Sequence, residues 1–404
     1  MNNLKYDDST INYFKVRSAI SNLTLVNFRN YRFLKLNIEK PFIVLCGENG
    51  SGKTNILEAI SFLSQGRGLR SARLSEIKTL DFIPEREDIL QSGWAVSATV
   101  LRDEDEFRIG TFVESQLKEV EYNEVKEIER RVAQINGQKL TSQNELGNYL
   151  SLVWVTPQMD RLFLGGAQNR RSFLDRIVYA FDVEHAKRIT SFDNLYRQWV
   201  QVLKSNHPNH QWLCSLEEQM AGFGVAIAAA RLEQVNQLNA FMEKNTDDVF
   251  PDVYLELNGT LEQMLLQKPA IYVEDFYKES LFKQRRTVLY GDVSTEVSKT
   301  DLKAYYKKKN MPANLCSTGE QKSLLLSIVL SQAKCLTAHR GYPPILLLDE
   351  VAAHLDDFKR DAFLDKITEL KTQCWLTTTS LFEFAHIKES AQFFEVKDNT
   401  AWLV

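Results

Sequence analysis

The sequence contains few cysteines, and their spacing argues against metal or disulfide chemistry. Five occur among 404 residues, an odd number, and no two of them form a C-x-x-C pair. A disulfide framework and a cysteine-based zinc site are therefore excluded, and we expect buried free thiols. The cysteines are Cys46, Cys214, Cys316, Cys335 and Cys374.

The sequence also lacks long apolar runs and an excess of positive charge. No run reaches the roughly 18 apolar residues of a membrane-spanning helix, and the polar stretch Met1–Asp8 does not resemble a secretion signal. We therefore expect a cytoplasmic protein with no membrane partner. A net charge of -4 and a pI near 6.0 exclude a uniformly basic nucleic-acid binder, so any DNA contact must come from local patches.

A glycine-rich stretch matches the phosphate-binding loop pattern G-x-x-x-x-G-K-[ST]. An apolar strand pattern precedes it at 41–46, and apolar residues at helical spacing follow at 54–63. Backbone N–H groups and the helix dipole would hold the phosphates, Lys53 would add a positive charge, and Thr54 would hold Mg²⁺. A glycine-rich turn before a surface helix is the alternative, but both flanks favour a nucleotide site. The residues of the loop are Gly47, Glu48, Asn49, Gly50, Ser51, Gly52, Lys53 and Thr54.

Two acids follow a second apolar run much later in the chain. Ile345–Leu348 reads as a buried strand that presents Asp349 and Glu350 at its carboxyl end. We interpret Asp349 as a ligand to Mg²⁺ and its hydration shell, and Glu350 as the group that polarises the attacking water. A core strand followed by a charged turn is the alternative, which the phosphate-loop match disfavours.

A third motif precedes the long apolar helix pattern 323–336. The stretch Cys316–Lys322 resembles the ABC-type signature, in which Ser317, Gly319 and Glu320 would contact the γ-phosphate held by an opposite subunit. The same residues also suit a helix N-cap without any ligand, and both roles are compatible. We therefore predict an ATP-dependent homodimer.

Two later segments would complete the ABC-type set. Val351–Asp356 resembles a D-loop, the segment that crosses the dimer seam. Where ABC transporters carry a switch histidine, Thr379 or Ser380 stands here, and the sequence leaves the choice open.

The order of the motifs predicts an interrupted domain. Long helical patterns after residue 157 indicate a helical lobe. The segment with the phosphate loop and the segment with the signature and the two acids must share one sheet for both acids to reach one phosphate. Residues 1–157 and 297–404 are therefore expected to form one discontinuous α/β domain, with residues 158–296 inserted. Earlier in the chain, alternating patterns predict an antiparallel pair at 23–28 with 33–38, and a hairpin at 94–100 with 106–114. The strands expected to lie side by side, with ligand at their carboxyl ends, are 42–46, 345–349 and 374–379.

Local positive charge marks two candidate DNA contacts. The loop 65–73 contains three arginines, Arg67, Arg70 and Arg73, which could meet DNA, the nucleotide or only solvent. Lys299–Lys309 holds five lysines and two tyrosines, which suits either a DNA phosphate surface centred on Lys307, Lys308 and Lys309 or a solubilising linker. The histidines of the loop 206–210 are expected to be solvated rather than metal-bound.

Taken together, these motifs resemble the RecF family of bacterial recombination and repair ATPases, whose heads are similar to those of SMC and Rad50 proteins without the long coiled coil. The resemblance covers nearly the whole chain. In this family Gln158 stands at the Q-loop position, which implies a metal or water contact. The pieces that carry the resemblance are Asn27–Tyr31, Gly47–Ala59, Gly66–Ser71, Thr156–Gln158, Gly165–Gly166, Arg170–Asp175 and Ser317–Gln321.

The resemblance implies a function that spacing alone does not establish. It implies ATP and Mg²⁺ as cofactors, weak DNA-stimulated ATP hydrolysis, and binding to single-stranded and duplex DNA at gaps. It further implies RecA loading together with RecR and RecO, in support of replication restart and SOS induction. The alternatives are another SMC-like ABC ATPase head, a DNA clamp that uses ATP only structurally, and a transporter subunit, which the interrupting lobe disfavours.

Overall fold

The computed structural model describes residues 16–79, 93–120, 124–244, 249–289, 294–351 and 355–404. The chain divides into two compact units. The first contains residues 1–157 and 336–404, and the second contains residues 158–335. The stretch Met1–Asp8 lies outside the described residues. Among those that are described, no helix has both the length and the apolar character needed to cross a membrane.

The strands are β1 Ser18–Phe28, β2 Tyr31–Asn37, β3 Phe42–Cys46, β4 Ala95–Arg102, β5 Asp105–Val120, β6 Glu124–Ile135, β7 Gln138–Lys139, β8 Leu152–Val155, β9 Val253–Asn258, β10 Asp301–Tyr306, β11 Met311–Pro312, β12 Ile345–Leu348, β13 Cys374–Thr378, β14 Ala391–Lys397 and β15 Thr400–Leu403. The α-helices are α1 Lys53–Ser61, α2 Ala167–Phe181, α3 Glu184–Leu203, α4 His210–Lys244, α5 Thr260–Leu265, α6 Ala270–Leu289, α7 Glu296–Lys299, α8 Thr318–Arg340 and α9 Asp357–Glu369.

A largely parallel sheet forms the centre of the first unit. Across the described residues its strands run in the order β15-β14-β3-β13-β12-β8. Every residue of β12 and of β13 is buried, the pattern of parallel strands that are covered on both faces. β13 pairs in parallel with β3 on one side and with β12 on the other, which confirms the predicted neighbours. All three strands end at the same edge of the sheet.

An antiparallel sheet forms the second layer of the first unit, in the order β2-β1-β4-β5-β6-β7 within the described residues. The pairing of β1 with β2 and the hairpin of β4 with β5 confirm the two antiparallel predictions. Phe28 and Trp94 bury their rings here with centroids 5.4 Å apart, and Phe62 just beyond α1 packs edge-on against both. This aromatic cluster anchors the phosphate-loop helix on the antiparallel sheet.

A buried arginine on β6 satisfies the carbonyl groups at the end of α1. The Arg131 guanidinium donates to the carbonyl oxygens of Phe62, Ser64 (3.1 Å) and Gly66 (2.7 Å), and its Nε donates to the Thr111 hydroxyl at 2.9 Å. Burial lowers the pKa of Arg131 to about 9. Because the last carbonyls of a helix have no partner within the helix, Arg131 fixes both the helix end and the start of the arginine loop.

The second unit is a helical lobe with a small sheet. Its strands run in the order β11-β10-β9, and α2 to α7 and most of α8 belong to it. The long helices predicted after residue 157 are present as α2, α3 and α4. In the core, Trp199 donates to the buried Glu217 at 2.9 Å, and Arg285 holds the same carboxylate through two contacts of 2.6 and 2.7 Å. The buried charge is thereby both paired and hydrogen-bonded.

The observed division of the chain shares one boundary with the sequence-based one. Both place a boundary after Pro157, but the compact second unit extends to residue 335 rather than 296. The physical reason is that β10 pairs along its whole length with β9 of the lobe. The functional boundary at 296/297 stays a prediction.

We expect Arg131→Met to lower the free energy of unfolding by about 2 to 4 kcal/mol, because it leaves several buried carbonyl groups without donors. The measurement is a urea unfolding curve. Arg130→Met, at the exposed neighbouring position on the same strand, is the matched control. Equal unfolding midpoints for the two variants would refute the capping role.

Candidate nucleotide site

The glycine loop joins β3 to α1 in the order that the sequence predicts. Gly52 occupies the N-cap of α1 with φ +110°, a left-handed conformation that favours glycine. A Cβ atom there would lie 2.5 Å from the Asn30 side chain and 2.6 Å from the Tyr31 hydroxyl. A Cβ on Gly47 would lie 2.3 Å from the Val396 carbonyl oxygen. Close packing on both sides therefore requires these two glycines.

The Lys53 side chain folds back onto the phosphate loop. Its ammonium donates to the carbonyl oxygens of Gly47 at 2.7 Å and Glu48 at 2.8 Å, and its side chain is almost fully buried. Burial lowers the pKa of Lys53, and the negative charge of Glu350 is the main opposing influence. A second anionic group such as a phosphate would favour the charged ammonium further.

A single carboxylate oxygen joins the phosphate-loop helix to the acid-bearing strand. Asp349 Oδ1 accepts hydrogen bonds from the Thr54 hydroxyl at 2.9 Å and from the Thr377 hydroxyl at 2.8 Å. Burial raises the pKa of Asp349 against the effect of these two donors. A buried carboxylate beside a threonine hydroxyl is a hard oxygen donor set, and a divalent cation would remove the cost of its charge. These residues fit Mg²⁺.

Glu350 follows Asp349 in an unusual backbone conformation. Its φ is +53°, in the left-handed region, and its N–H donates to the Thr377 hydroxyl at 2.8 Å. Thr377 thus holds both acids at once, through one donated and one accepted hydrogen bond. A non-glycine residue held in this conformation is stored strain of the kind found at functional sites.

A cavity of about 680 Å³ opens over the sheet edge beside the glycine loop. Gly47–Ser51 form one wall, and the turn Lys397–Asn399 between β14 and β15 forms another. Asn399 accepts from the Asn30 side chain at 2.9 Å, so the turn is tied to the residues that pack against Gly52. Of the two switch candidates, Thr379 lines this cavity, whereas Ser380 donates its N–H to the Thr378 hydroxyl at 3.0 Å.

The arginine loop contributes one residue to the site. Glu58 on α1 is fully buried and accepts from Arg29 at 2.7 and 2.9 Å and from Arg70 at 3.3 Å. Arg70 also donates to Asn55 at 2.9 Å, and its positive charge partly offsets the rise in the pKa of Asp349 that burial causes. These contacts hold the Arg70 guanidinium against α1 although its side chain is 36% exposed. Arg67 and Arg73 are exposed as well.

The signature residues lie in the second unit, at the start of α8. Ser317 and Glu320 form a capping box: Glu320 Oε2 accepts the N–H and the hydroxyl of Ser317, both at 2.8 Å, and Ser317 Oγ accepts the Glu320 N–H at 3.4 Å. Gly319 is exposed. Hydrogen bonds from Lys309 and Ser317 lower the pKa of Glu320 to about 2. The start of α8 is therefore capped by its own side chains, as the helix N-cap role predicts.

The remaining predicted residues fall outside the first unit or outside the described residues. Gln158 lies exposed in a short 3₁₀ helix of the second unit, Pro157–Arg161. The positions 352–354 of the predicted D-loop lie outside the described residues. No group of three or more metal-ligating side chains is found across the described residues, and His210 is seen beside Cys214, with Nδ1 and Sγ 3.6 Å apart.

The lysine-rich stretch is a strand and a turn, so the linker alternative was wrong. Residues 301–306 form β10, and Lys307–Lys309 form a 3₁₀ turn. Each lysine of the turn pairs with an acid of the same unit. The pairs are Lys307 with Glu243, Lys308 with Asp252 and Lys309 with Glu320.

Sequence reasoning missed Thr377, Asn30 and Glu58 as parts of the site. A threonine near the carboxyl end of a buried central strand was the available signal for Thr377. The stretch Asn27–Tyr31 served only as a family marker, yet it packs against Gly52 and supplies Arg29 to Glu58. Its pairing with α1 depends on the fold and has no local sequence signature.

The fold and the phosphate loop are of the ABC-type P-loop ATPase class. The model of the RecF/RecN/SMC N terminal domain family matches residues 19–401. The DNA replication and repair protein RecF of Allorhizobium ampelinum is 37% identical over 384 residues, 95% of this chain and 98% of that protein. RecF of Agrobacterium fabrum is 38% identical over 380 residues, 94% and 96% of the two chains. The chain therefore belongs to the RecF family of DNA replication and repair proteins.

A solved structure supports the same fold. It is described as the recombination mediator protein RecF-ATPrS in the RecFOR pathway, and it matches with a TM-score of 0.81 at 22% identity. The match covers 97% of this chain and 100% of that chain. The predicted fold class and family are thus confirmed.

Replacing Lys53 tests the phosphate loop. We expect Lys53→Met to weaken ATP-Mg²⁺ binding about tenfold or more, because a charge-assisted contact to phosphate is lost while the buried methylene stem is kept. Isothermal titration calorimetry measures the affinity. Lys35→Met, at an exposed position on β2, is the control. Unchanged affinity in Lys53→Met would contradict the assignment.

Proposed function

We propose that this chain is an ATP-dependent DNA-binding protein of recombinational repair that hydrolyses ATP slowly and uses ATP to close a homodimer. The hydrogen bond between Thr54 and Asp349 carries the proposal. It unites two motifs from distant parts of the chain at one sheet edge, beside a cavity large enough for a nucleotide. The RecF family membership supports the choice of repair over the other SMC-like functions.

The residues divide the work of phosphoryl transfer among them. The N–H groups of the glycine loop and the N-terminus of α1 hold the phosphates, and the Lys53 ammonium exchanges its two carbonyl partners for phosphate oxygens. Glu350 accepts a proton from the attacking water, in a position that its own backbone and Thr377 fix. Thr54 and Asp349, with Gln158 as a third candidate, would hold Mg²⁺, which would supply positive charge to balance that of the phosphates.

Dimerisation completes each site in this proposal. The exposed N-terminus of α8 with Ser317 and Gly319 meets the γ-phosphate held by the other subunit. Exposed apolar side chains next to the motif segments of each unit support association. In the second unit Leu315 before the signature is 70% exposed; in the first unit Phe358 after the D-loop is 71% exposed and Phe382 after the switch 91%. Hydrolysis removes the phosphate that both subunits contact, so the dimer opens.

Two substitutions test this trans site, that is, the nucleotide site of one subunit completed by the signature residues of the other. We expect Glu350→Gln to trap a dimer with ATP-Mg²⁺, because the shape is kept while the basic carboxylate is lost. Ser317→Arg should prevent the dimer and spare ATP binding, since it adds bulk and charge at the seam. Light scattering with and without ATP measures the mass, and phosphate release measures turnover.

The outcomes separate the candidate functions. A Glu350→Gln protein that stays monomeric with ATP, or a Ser317→Arg protein that dimerises, rejects the trans site. Wild-type protein that dimerises with ATP but releases no phosphate at saturating ATP is instead a clamp with structural ATP.

DNA binding is the second part of the proposal. The family implies single-stranded and duplex DNA at gaps, and RecA loading with RecR and RecO. In this chain the candidates are the exposed arginines Arg67 and Arg73 and the basic stretch around β10. Exposed ion pairs such as Lys307 with Glu243 are weak in water, so these lysines remain able to exchange the acid for a DNA phosphate.

A salt series tests the lysine stretch. We expect Lys303→Ala/Lys307→Ala/Lys308→Ala to reduce the slope of log affinity for gapped DNA against log salt by up to about 2.7, roughly 0.9 per phosphate contact. Fluorescence anisotropy with ATP-Mg²⁺ measures binding. Lys268→Ala/Lys278→Ala/Lys283→Ala removes the same charge from the region of α6. Identical slopes for both triple variants would remove this stretch from the DNA surface.

A further inference from the structure

The signature helix carries a negative charge at the place where the proposed function brings a triphosphate. Glu320 lies in the first turn of α8, and one of its oxygens is 2.8 Å from the Ser317 hydroxyl. The carboxylate already accepts the hydrogen bond that the Ser317 hydroxyl would otherwise donate to the γ-phosphate. An uncompensated carboxylate at this distance repels a phosphate group and weakens the anion preference of the helix N-terminus.

A lysine from a separate element contacts the other oxygen of this carboxylate. Lys309 closes the 3₁₀ turn after β10, and Asn310 follows it in the left-handed conformation with φ +46°. The Lys309 ammonium donates to Glu320 Oε1, while Ser317 donates to Oε2. The Lys309 and Glu320 side chains are 48% and 29% exposed, so the pair is open to an incoming ligand.

We propose that Lys309 is the positioning residue of the signature, because it neutralises Glu320 and so allows Ser317 to turn its hydroxyl toward the γ-phosphate of the opposite subunit. This inference rests on the proposed trans site. Both carboxylate oxygens are engaged, one by each partner. When the phosphate binds, the Ser317 hydroxyl rotates and donates its hydrogen bond to the phosphate instead of to Glu320. Lys309 stays paired with the Glu320 carboxylate, so that the carboxylate does not repel the phosphate.

The neighbouring lysines do not share this role. Lys307 and Lys308 belong to the same turn but pair with Glu243 and Asp252, which are not signature residues. A purely structural salt bridge at this exposed position would contribute little to folding. The role is therefore visible in ATP-dependent association and invisible in thermal stability.

The test uses full-length Glu350→Gln protein with ATP-Mg²⁺ and no DNA, and it measures the dimer dissociation constant by light scattering over a concentration series. We expect Lys309→Ala to weaken dimerisation about 25-fold, roughly fivefold for each of two signatures. Lys309→Arg should retain the dimer. Lys283→Ala, which breaks another surface pair of the same unit, should leave it unchanged.

A second substitution separates charge from structure. Glu320→Gln keeps the capping box, since glutamine serves at this position, but removes the negative charge. In the Lys309→Ala protein it should restore the dimer to within about twofold of the parent. ATP affinity of the monomer and the melting temperature should be the same in all these variants.

Each outcome decides one claim. If Lys309→Ala dimerises as tightly as the parent, or if Glu320→Gln fails to restore it, the positioning role is wrong although the trans site stands. If the parent Glu350→Gln protein itself fails to dimerise with ATP, the proposed function fails, and the positioning role with it.

Discussion

Asp349 Oδ1 accepts one hydroxyl from the phosphate-loop helix and one from the strand that lies between the two motifs. Thr54 and Thr377 can both reach this oxygen only if β3, β13 and β12 are neighbours that end at the same edge. The same Thr377 hydroxyl accepts the N–H of Glu350 and so fixes the second acid. One shared oxygen thus sets the register of two motifs that lie far apart in the chain. The order of the parallel sheet is the requirement behind it.

Burial shifts the pKa values of the two charged groups of this site, Lys53 and Asp349, in opposite directions, and both shifts have the same effect. It lowers the pKa of Lys53 and raises the pKa of Asp349, so each charged form is disfavoured in the free protein. An anionic phosphate favours the charged lysine, and a cation favours the charged aspartate. Binding therefore removes two desolvation costs at once, and a ligand that does so also stabilises the folded state. The strained φ of Glu350 is a further local cost at the same edge.

Sequence reasoning could predict the elements that have local signatures. The glycine loop, the buried strands and the helix N-cap at Ser317 depend on residue type at fixed spacing, and the structure places each where the pattern predicts. Arg131 and Glu58 have no such pattern, because their partners come from other segments of the chain. The domain boundary differs for the same reason, since the pairing of β10 with β9 is a contact between distant segments. The spacing of residue types indicates which element a segment can form, but only the folded structure shows which distant residues it contacts.

Positive charge in the sequence is a weaker guide to function than a motif, and Lys299–Lys309 shows why. Five lysines in eleven residues predict a strongly basic surface, yet Lys299, Lys307, Lys308 and Lys309 each pair with an acid from the same unit. Only Glu296, the partner of Lys299, is close in sequence; the other three acids lie in α4, in the loop before β9 and in α8, so the stretch itself does not show the balance of charge. The surface is locally close to neutral, which leaves geometry rather than net charge to decide the role of each lysine. Lys309 differs from its neighbours in its acidic partner, and that partner caps the signature helix. The role of a lysine is therefore better inferred from the carboxylate that it contacts than from the lysine-rich stretch in which it lies.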